Sequence, residues 1–176
     1  SRGYGRNTNG FISASPESES FEIGDEPKQF KKKFPEINVA VDSNRVGGIK
    51  KLLEIDPSLN VILLDDAFQH RALKPGLSIL LTDYHKLYVD DFLLPSGNLR
   101  EWKKSADRAD IIIVTRIPDP FSPMEKRIIK ERLKPQPYQK IYFSFIRYGE
   151  FISLNKIPGQ KLFGKEGDNK LNIVEN

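Results

Sequence analysis

The sequence predicts an α/β fold built on a mainly parallel sheet with flanking helices. Short aliphatic runs recur along the chain, most clearly at residues 61–64 and 111–114. Consecutive aliphatic residues bounded by polar ones are typical of strands that are buried on both faces of a parallel sheet. Helical patterns separate these runs, and strands that alternate with helices indicate right-handed crossovers within one sheet.

The elements of the N-terminal half follow from residue type and spacing. Glycine and proline punctuate residues 1–36, which favours loops there. Residues 37–41 are mostly apolar and form a predicted strand, and apolar positions spaced three or four apart predict a helix over 45–55. Residues 61–64 form the next predicted strand, and two carboxylates follow it at once.

The C-terminal half alternates in the same way. Strands are predicted where aliphatic and aromatic residues cluster, and helices where apolar residues return every three or four positions. The predicted strands are 77–82, 110–115 and 140–145, and the predicted helices are 102–108 and 122–133. The second of these helices begins with Ser-Pro-Met-Glu, which resembles a capping box with proline in the first turn.

Composition sets bounds on domain count and partners. The 176-residue chain suits one core of ordinary size, and we expect one domain over residues 1–145, followed by the start of a C-terminal portion at 146–176. The net charge of +4 suits an anionic partner such as a phosphate or an acidic lipid surface, but it is too small to argue for nucleic acid. The absence of cysteine excludes disulfides and thiolate metal sites.

Two carboxylates, Asp65 and Asp66, follow the predicted strand 61–64. In open parallel sheets ligands bind outside the carboxyl ends of the strands, so this pair is placed where a metal–nucleotide complex would sit. In a simpler interpretation Asp65 caps a following helix and Asp66 is merely solvated.

The aspartate pair belongs to a set of five short motifs that fall at predicted loops and strand ends. They are Ser1-Arg2-Gly3-Tyr4-Gly5-Arg6, Gly24-Asp25-Glu26-Pro27, Asp65-Asp66-Ala67-Phe68-Gln69-His70, Leu94-Pro95-Ser96-Gly97 and Leu99-Arg100-Glu101. Taken together and in this order, the motifs resemble the tetraacyldisaccharide 4'-kinase family, the lipid A 4'-kinases of Gram-negative bacteria. The resemblance covers residues 1–116.

The resemblance implies a fold and a reaction. The fold is a P-loop-kinase-like α/β domain, of which this chain would hold an incomplete part together with part of a smaller second lobe. The reaction is phosphorylation, by ATP with Mg²⁺, of the 4'-hydroxyl of a tetraacyldisaccharide 1-phosphate in lipid A biosynthesis. The implied partners are the lipid disaccharide phosphate and the inner-membrane surface, with no nucleic acid. The protein would lie at the cytoplasmic face of that membrane, peripherally or anchored by an upstream segment.

The resemblance also implies roles for five acidic residues. Asp25 matches the catalytic base of the family, and Glu26 beside it would orient Asp25 or the metal. Asp65 and Asp66 match the pair that holds Mg²⁺, and Glu101 would reach the metal as well. For Asp25 the simpler interpretation is an ordinary Gly-Asp turn.

The remaining candidates would bind substrate. A loop with two cations around an aromatic residue suits a sugar phosphate, with the tyrosine ring against the sugar and the guanidinium groups on the phosphate. The substrate-binding candidates are Arg2, Tyr4, Arg6, Arg45, Gln69, His70 and Arg100. The alternatives are a basic solvated loop for the first three, local ion pairs for the later arginines and a structural role for the histidine.

Two parts of the family pattern are not found in this sequence. There is no Gly-x-x-x-x-Gly-Lys-Ser/Thr phosphate loop, which in the family precedes the Arg-Gly-Tyr-Gly motif, and no C-terminal histidine motif. We interpret the chain as an interior piece of a longer protein and expect it alone neither to bind Mg-ATP tightly nor to transfer phosphate. Another P-loop phosphotransferase and a non-catalytic module that binds anionic glycolipid are the competing hypotheses.

Overall fold

The computed structural model describes residues 1–149 and the backbone of residues 171–174. The chain divides into two compact units, Ser1–Lys74 and Pro75–Asn176. The predicted domain boundary after residue 145 lies within the second unit and stays a prediction. Among the described residues, no helix combines the length and the apolar character that crossing a membrane requires.

The first unit combines two very short strands with three helices. The strands β1 (Ile12–Ser13) and β2 (Ala40–Val41) pair in antiparallel orientation. The helices are α1 (Ser20–Ile23), α2 (Asp25–Lys33) and α3 (Arg45–Ile55). A small apolar cluster forms a core from residues of the strands and of the segments beside them, namely Ala14, Ile23, Val39 and Val41.

Helix α3 has the predicted bounds. Its N-cap is Asn44, whose side-chain oxygen accepts a hydrogen bond from the backbone N–H of Gly47 at 3.1 Å. This bond satisfies one of the backbone donors that the first turn of a helix leaves without an intrahelical partner. The prediction of a helix over 45–55 is therefore confirmed.

Residues 1–36, which were predicted to be loop-rich, also contain the helices α1 and α2, which the sequence did not predict. At the start of α1 the carboxylate of Glu22 accepts a hydrogen bond from the backbone N–H of Glu19 at 2.9 Å. Helix α2 begins with two carboxylates and ends with three lysines, the charge order that the helix dipole favours, and Pro27 lies in its first turn, where a missing N–H is tolerated. Each helix buries only one residue, so the sequence shows no apolar stripe there.

The run at 61–64 is not the predicted buried strand. Val61 and Leu63 are 72% and 88% exposed, and the run belongs to no ladder within the described residues. An aliphatic run predicts burial only where other strands and helices cover it, and in the described chain these two side chains face solvent. The strand predicted at 37–41 shortens to β2 and pairs with β1, so neither run joins the parallel sheet.

The second unit carries the parallel sheet. Strands β3 (Ile79–Asp83), β4 (Ile111–Thr115), β5 (Lys140–Ile146) and β6 (Leu171–Val174) lie in that order. The first three are parallel, and β6 runs antiparallel to β5. The connections contain 3-10 helices at Tyr88–Asp90 and Lys103–Arg108 and the helix α4 (Pro123–Leu133). The predicted α/β fold with a mainly parallel sheet is confirmed.

Strand β4 lies at the centre of this sheet, and its Ile112 and Val114 are fully buried. Helix α4 follows it with the predicted capping box. The hydroxyl of Ser122 accepts a hydrogen bond from the N–H of Glu125 at 3.2 Å, and the Glu125 carboxylate accepts one from the N–H of Ser122 at 2.9 Å. Two backbone donors are thereby satisfied at the helix start, as predicted.

Candidate active site

Two of the sequence motifs pack against each other through glycines. Gly3 has φ +68°, and a Cβ placed on it would lie 2.8 Å from the carbonyl oxygen of Ile23. Gly24 has φ +93°, and a Cβ there would lie 2.9 Å from the carbonyl oxygen of Tyr4. Both positions therefore require glycine, for conformation and for space. The loop that begins at Ser1 thus lies directly against the turn that leads into Asp25.

Asp25 and Glu26 are exposed and form the first turn of α2. The backbone N–H groups of a first turn carry a partial positive charge, which stabilises carboxylates at this place. The predicted Gly-Asp turn is thus the start of a nine-residue helix. A helix start fixes the direction of both carboxylates better than an isolated turn would.

Glu26 of the Gly-Asp-Glu-Pro motif lies against Asp65 of the Asp-Asp-Ala-Phe-Gln-His motif. A hydrogen bond with the carboxyl group of Asp65 raises the pKa of Glu26 above its ordinary value, and partial burial and the negative charges of Asp65 and Asp66 act in the same direction. Asp65 also accepts a hydrogen bond from the hydroxyl of Ser1 at 3.5 Å. Residues from three motifs therefore meet within the first unit, as an acidic cluster beside the Ser1 loop.

Arg45, the first residue of α3, contacts the backbone of the aspartate pair. Its guanidinium group donates hydrogen bonds to the carbonyl oxygens of Asp65 at 3.3 Å and Asp66 at 3.1 Å. Asp66 has φ +41°, a left-handed conformation that is uncommon for a residue other than glycine. The guanidinium group thus holds both carbonyls of the turn that presents the two carboxylates. The predicted substrate contact of Arg45 stays a prediction.

Two polar atoms of the predicted substrate-binding residues are buried without a hydrogen-bond partner. They are Nη1 of Arg6 and Nε2 of His70, although Arg6 also donates to the carbonyl of Gly10 at 2.9 Å. A buried polar atom without a partner costs about 1–3 kcal/mol of stability. Tyr4 is 96% exposed, and Arg2 and Gln69 are exposed as well.

The acidic cluster fits a small divalent cation in part. Within the described residues no three carboxylate or histidine side chains are placed to hold a metal ion together. Mg²⁺, however, is commonly bound through one or two carboxylates together with substrate phosphates and water. Glu26 and Asp65 lie in contact and repel each other when both are ionised, which is the condition that a cation relieves.

Arg100 and Glu101 lie in the second unit. The carboxylate of Glu101 forms an ion pair with the guanidinium group of Arg108 at 2.8 Å. Arg100 is exposed. The predicted phosphate contact of Arg100 and metal contact of Glu101 stay predictions.

Sequence reasoning missed Asp91, which organises the Leu-Pro-Ser-Gly loop. Its side chain is buried, forms an ion pair with Lys86 at 3.0 Å and accepts hydrogen bonds from the N–H groups of Phe92 at 2.8 Å and Asn98 at 3.2 Å. Burial opposes the charge, but these hydrogen bonds together hold the pKa of Asp91 below its ordinary value. The one signal in the sequence was an aspartate doublet shortly before a Pro-Ser-Gly turn.

A cleft at the carboxyl edge of the parallel sheet was missed as well. It has a volume of about 470 Å³ and is lined by Arg116, Ile117, Ile146 and Tyr148, which follow or end β4 and β5. Arg116 has φ +59° and forms an ion pair at 2.9 Å with Asp83, the last residue of β3. The cleft therefore lies at the sheet edge where parallel α/β proteins bind ligands.

Comparison with known proteins agrees with the motifs. The family model described as Tetraacyldisaccharide-1-P 4'-kinase matches residues 1–149. The chain belongs to this family. The match covers the whole first unit, residues 75–149 of the second and all five motifs, so the resemblance drawn from the motifs is confirmed.

Curated relatives carry the same description. The tetraacyldisaccharide 4'-kinase of Bacteroides thetaiotaomicron is 55% identical over 150 residues, which are 85% of this chain and 40% of the relative. That of Parabacteroides distasonis is 48% identical over 178 residues, 99% of this chain and 48% of the relative. That of Flavobacterium johnsoniae is 49% identical over 148 residues, 84% of this chain and 44% of the relative. The chain thus spans less than half the length of these relatives. No solved structure matches it.

Proposed function

We propose that the protein phosphorylates the 4'-hydroxyl of a tetraacyldisaccharide 1-phosphate with ATP, and that this chain supplies the acceptor side of the site. One observation carries the proposal, namely that Ser1, Glu26 and Asp65 bring three motifs of the family into one cluster in the first unit. Family membership favours this kinase over the competing module that only binds glycolipid. It also favours this kinase over another P-loop phosphotransferase.

Asp25 takes the proton of the acceptor hydroxyl. The hydroxyl oxygen attacks the γ-phosphorus of ATP, its proton passes to the Asp25 carboxylate, and ADP leaves with the electrons of the broken phosphorus–oxygen bond. Phosphoryl transfer depends mainly on positioning and on charge stabilisation. An exposed carboxylate that is fixed at a helix start, against the glycine-packed Ser1 loop, meets the positioning requirement.

The Ser1 loop binds the sugar phosphate. Tyr4 is almost fully exposed beside two arginines, so its ring is free to lie against a sugar face while Arg2 and Arg6 pair with the phosphate. Gln69, which is exposed, and His70 beside it contribute further polar contacts to substrate.

Mg²⁺ would be held by Asp65 and Asp66, and when bound it neutralises phosphate charge. Glu26 lies against Asp65, so its carboxylate adds negative charge beside the metal-binding pair. Arg45 holds the carbonyls behind both aspartates, so it acts on the site by positioning them. The reaction takes place at the cytoplasmic face of the inner membrane, since the acyl chains of the acceptor are embedded there.

The test is phosphate transfer from labelled ATP to tetraacyldisaccharide 1-phosphate by the intact protein. Asp25→Asn keeps the shape of the side chain but removes the basic oxygen, so kcat should fall about 10²–10⁴-fold while the affinity for ATP is unchanged. Glu54→Gln, which neutralises another exposed carboxylate of the first unit, is the matched control and should leave kcat unchanged. A full rate in Asp25→Asn would remove Asp25 from this role.

A further inference from the structure

The C-terminal end of α2 and the turn after it form a surface that combines lysines with large apolar side chains. Its lysines are Lys31, Lys32 and Lys33, and its apolar members are Phe30, Phe34 and Ile37, which we call together the α2 patch. Phe30 and Phe34 are each 39% exposed, and Ile37 is 42% exposed. Over residues 30–37 three lysines stand against one glutamate.

Hydrogen bonds hold the turn of the α2 patch against the helix. The ammonium group of Lys31 donates to the carbonyl oxygens of Pro35 at 2.8 Å and Ile37 at 2.9 Å. The N–H of Phe34 donates to the carbonyl of Phe30 at 2.8 Å and so ends the helix. The apolar side chains after the helix are therefore held beside the last turn of α2, next to its lysines.

Two lysines of the α2 patch are available to an external anion. Lys32 and Lys33 are exposed, and within residues 1–149 neither forms an ion pair. The ammonium group of Lys33 lies 5.5 Å from the centre of the Phe34 ring, so positive charge and aromatic surface are presented together. By contrast, Lys28 one turn earlier is already paired with Glu19.

Single exposed apolar residues are normal on a protein surface, but three of them beside unpaired lysines call for an explanation. Aromatic rings and long basic side chains are the residues that occupy the headgroup level of a lipid bilayer. Anionic headgroups complement the lysines, and the acyl boundary accommodates the phenylalanines and the isoleucine. The surface of one anionic bilayer therefore complements both the lysines and the apolar side chains of the α2 patch.

We propose that the α2 patch rests on the anionic surface of a lipid bilayer. The consequence for the reaction rests on the proposed function: α2 begins with Asp25 and ends with the patch, so the helix sets the catalytic carboxylate at a fixed height above the lipid. Eight residue steps at about 1.5 Å each place Asp25 roughly 12 Å along the helix axis from Lys33. At this height Asp25 would meet the sugar hydroxyl of an acceptor whose acyl chains stay in the bilayer.

Vesicle sedimentation of the intact protein tests the α2 patch directly. The variant Lys32→Gln/Lys33→Gln removes two charges from the patch, and Lys50→Gln/Lys51→Gln removes two charges from the exposed surface of α3 in the same unit. Since each lysine near an anionic membrane strengthens binding several-fold, the patch variant should bind phosphatidylglycerol-containing vesicles about 10- to 30-fold more weakly. The α3 variant should change binding less than about threefold, and neutral phosphatidylcholine vesicles should bind weakly throughout.

Three outcomes would overturn the proposal. They are equal losses in the two variants, no loss in the patch variant, and undiminished binding to neutral vesicles. A patch variant that loses affinity for a single-stranded oligonucleotide but keeps its affinity for vesicles would assign the surface to nucleic acid and would also overturn it.

Kinase assays in two settings separate this proposal from the proposed function. The patch variant should keep its kcat on detergent-dispersed acceptor and lose activity on acceptor embedded in vesicles. If the unaltered protein shows no kinase activity but binds vesicles through the α2 patch, the proposed function fails and the membrane contact stands. If the patch variant loses activity equally in both settings, the contact is not with the bilayer.

Discussion

The close packing of the Ser1 loop against the turn before Asp25 can be tested with one methyl group. Gly3 and Gly10 have similar left-handed backbones, with φ +68° and +75°. A Cβ on Gly3 would lie 2.8 Å from the backbone oxygen of Ile23, whereas a Cβ on Gly10 would have no atom within 4 Å. Gly10→Ala is therefore a matched control that carries the conformational cost without the steric one.

The magnitudes follow from these two environments. A left-handed backbone costs an alanine about 1–2 kcal/mol, so Gly10→Ala should lower the free energy of unfolding by that amount. Overpacking against a backbone atom adds about 1–3 kcal/mol, so Gly3→Ala should lose roughly 2–5 kcal/mol in total. Because the Ile23 carbonyl can move only with the turn that carries Asp25, kcat should also fall, on the order of 10²-fold.

Urea unfolding and initial rates of phosphate transfer measure both effects in the intact protein. Gly10→Ala should retain nearly the full kcat, and Gly3→Ala should lose both stability and rate. Equal losses of stability in the two variants would refute the close approach of the loops. A large loss of stability in Gly3→Ala without any loss of kcat would show that the packing does not position Asp25.

Three further predictions concern single residues. Asp65→Asn should raise the Mg²⁺ concentration needed for half-maximal rate, because it removes a negative charge that is directed at the metal. If excess Mg²⁺ restored the rate of Asp25→Asn but not that of Asp65→Asn, Asp25 would be the metal ligand and Asp65 the proton acceptor. Arg45→Met removes both carbonyl contacts of the guanidinium group and should lower kcat. Partial recovery of kcat in Arg45→Lys would support the role of Arg45 in positioning the aspartate pair. A melting temperature and kinetics equal to those of the unaltered protein would contradict that role. The pKa of Asp91 is lowered, so the ionised side chain stabilises the fold above about pH 4, and this stabilisation is lost as the pH falls below that value. Between pH 7 and pH 3 the urea midpoint of Asp91→Asn should therefore fall less than that of the unaltered protein. Identical pH dependence of the two midpoints would contradict this.

The elements that sequence reasoning located correctly are those with local signals. Helices α3 and α4 begin at side chains that bond their own first turns, Asn44 in one and Ser122 with Glu125 in the other. Strands β4 and β5 match the predicted runs to within one residue. Capping and strand propensity act over a few residues, so they can be read without knowledge of the fold.

Contacts over long sequence distances could not be read in this way. The aliphatic run at 61–64 has the composition of a buried strand, yet Leu63 is 88% exposed in the described chain, because burial depends on which other elements cover a segment. Arg45 was one of the substrate-binding candidates, but its bonds to the carbonyls of Asp65 and Asp66 depend on how α3 lies against the turn 20 residues later. Residue types therefore identified the family and its candidate residues, whereas the folded backbone alone assigns each guanidinium and carboxylate its partner.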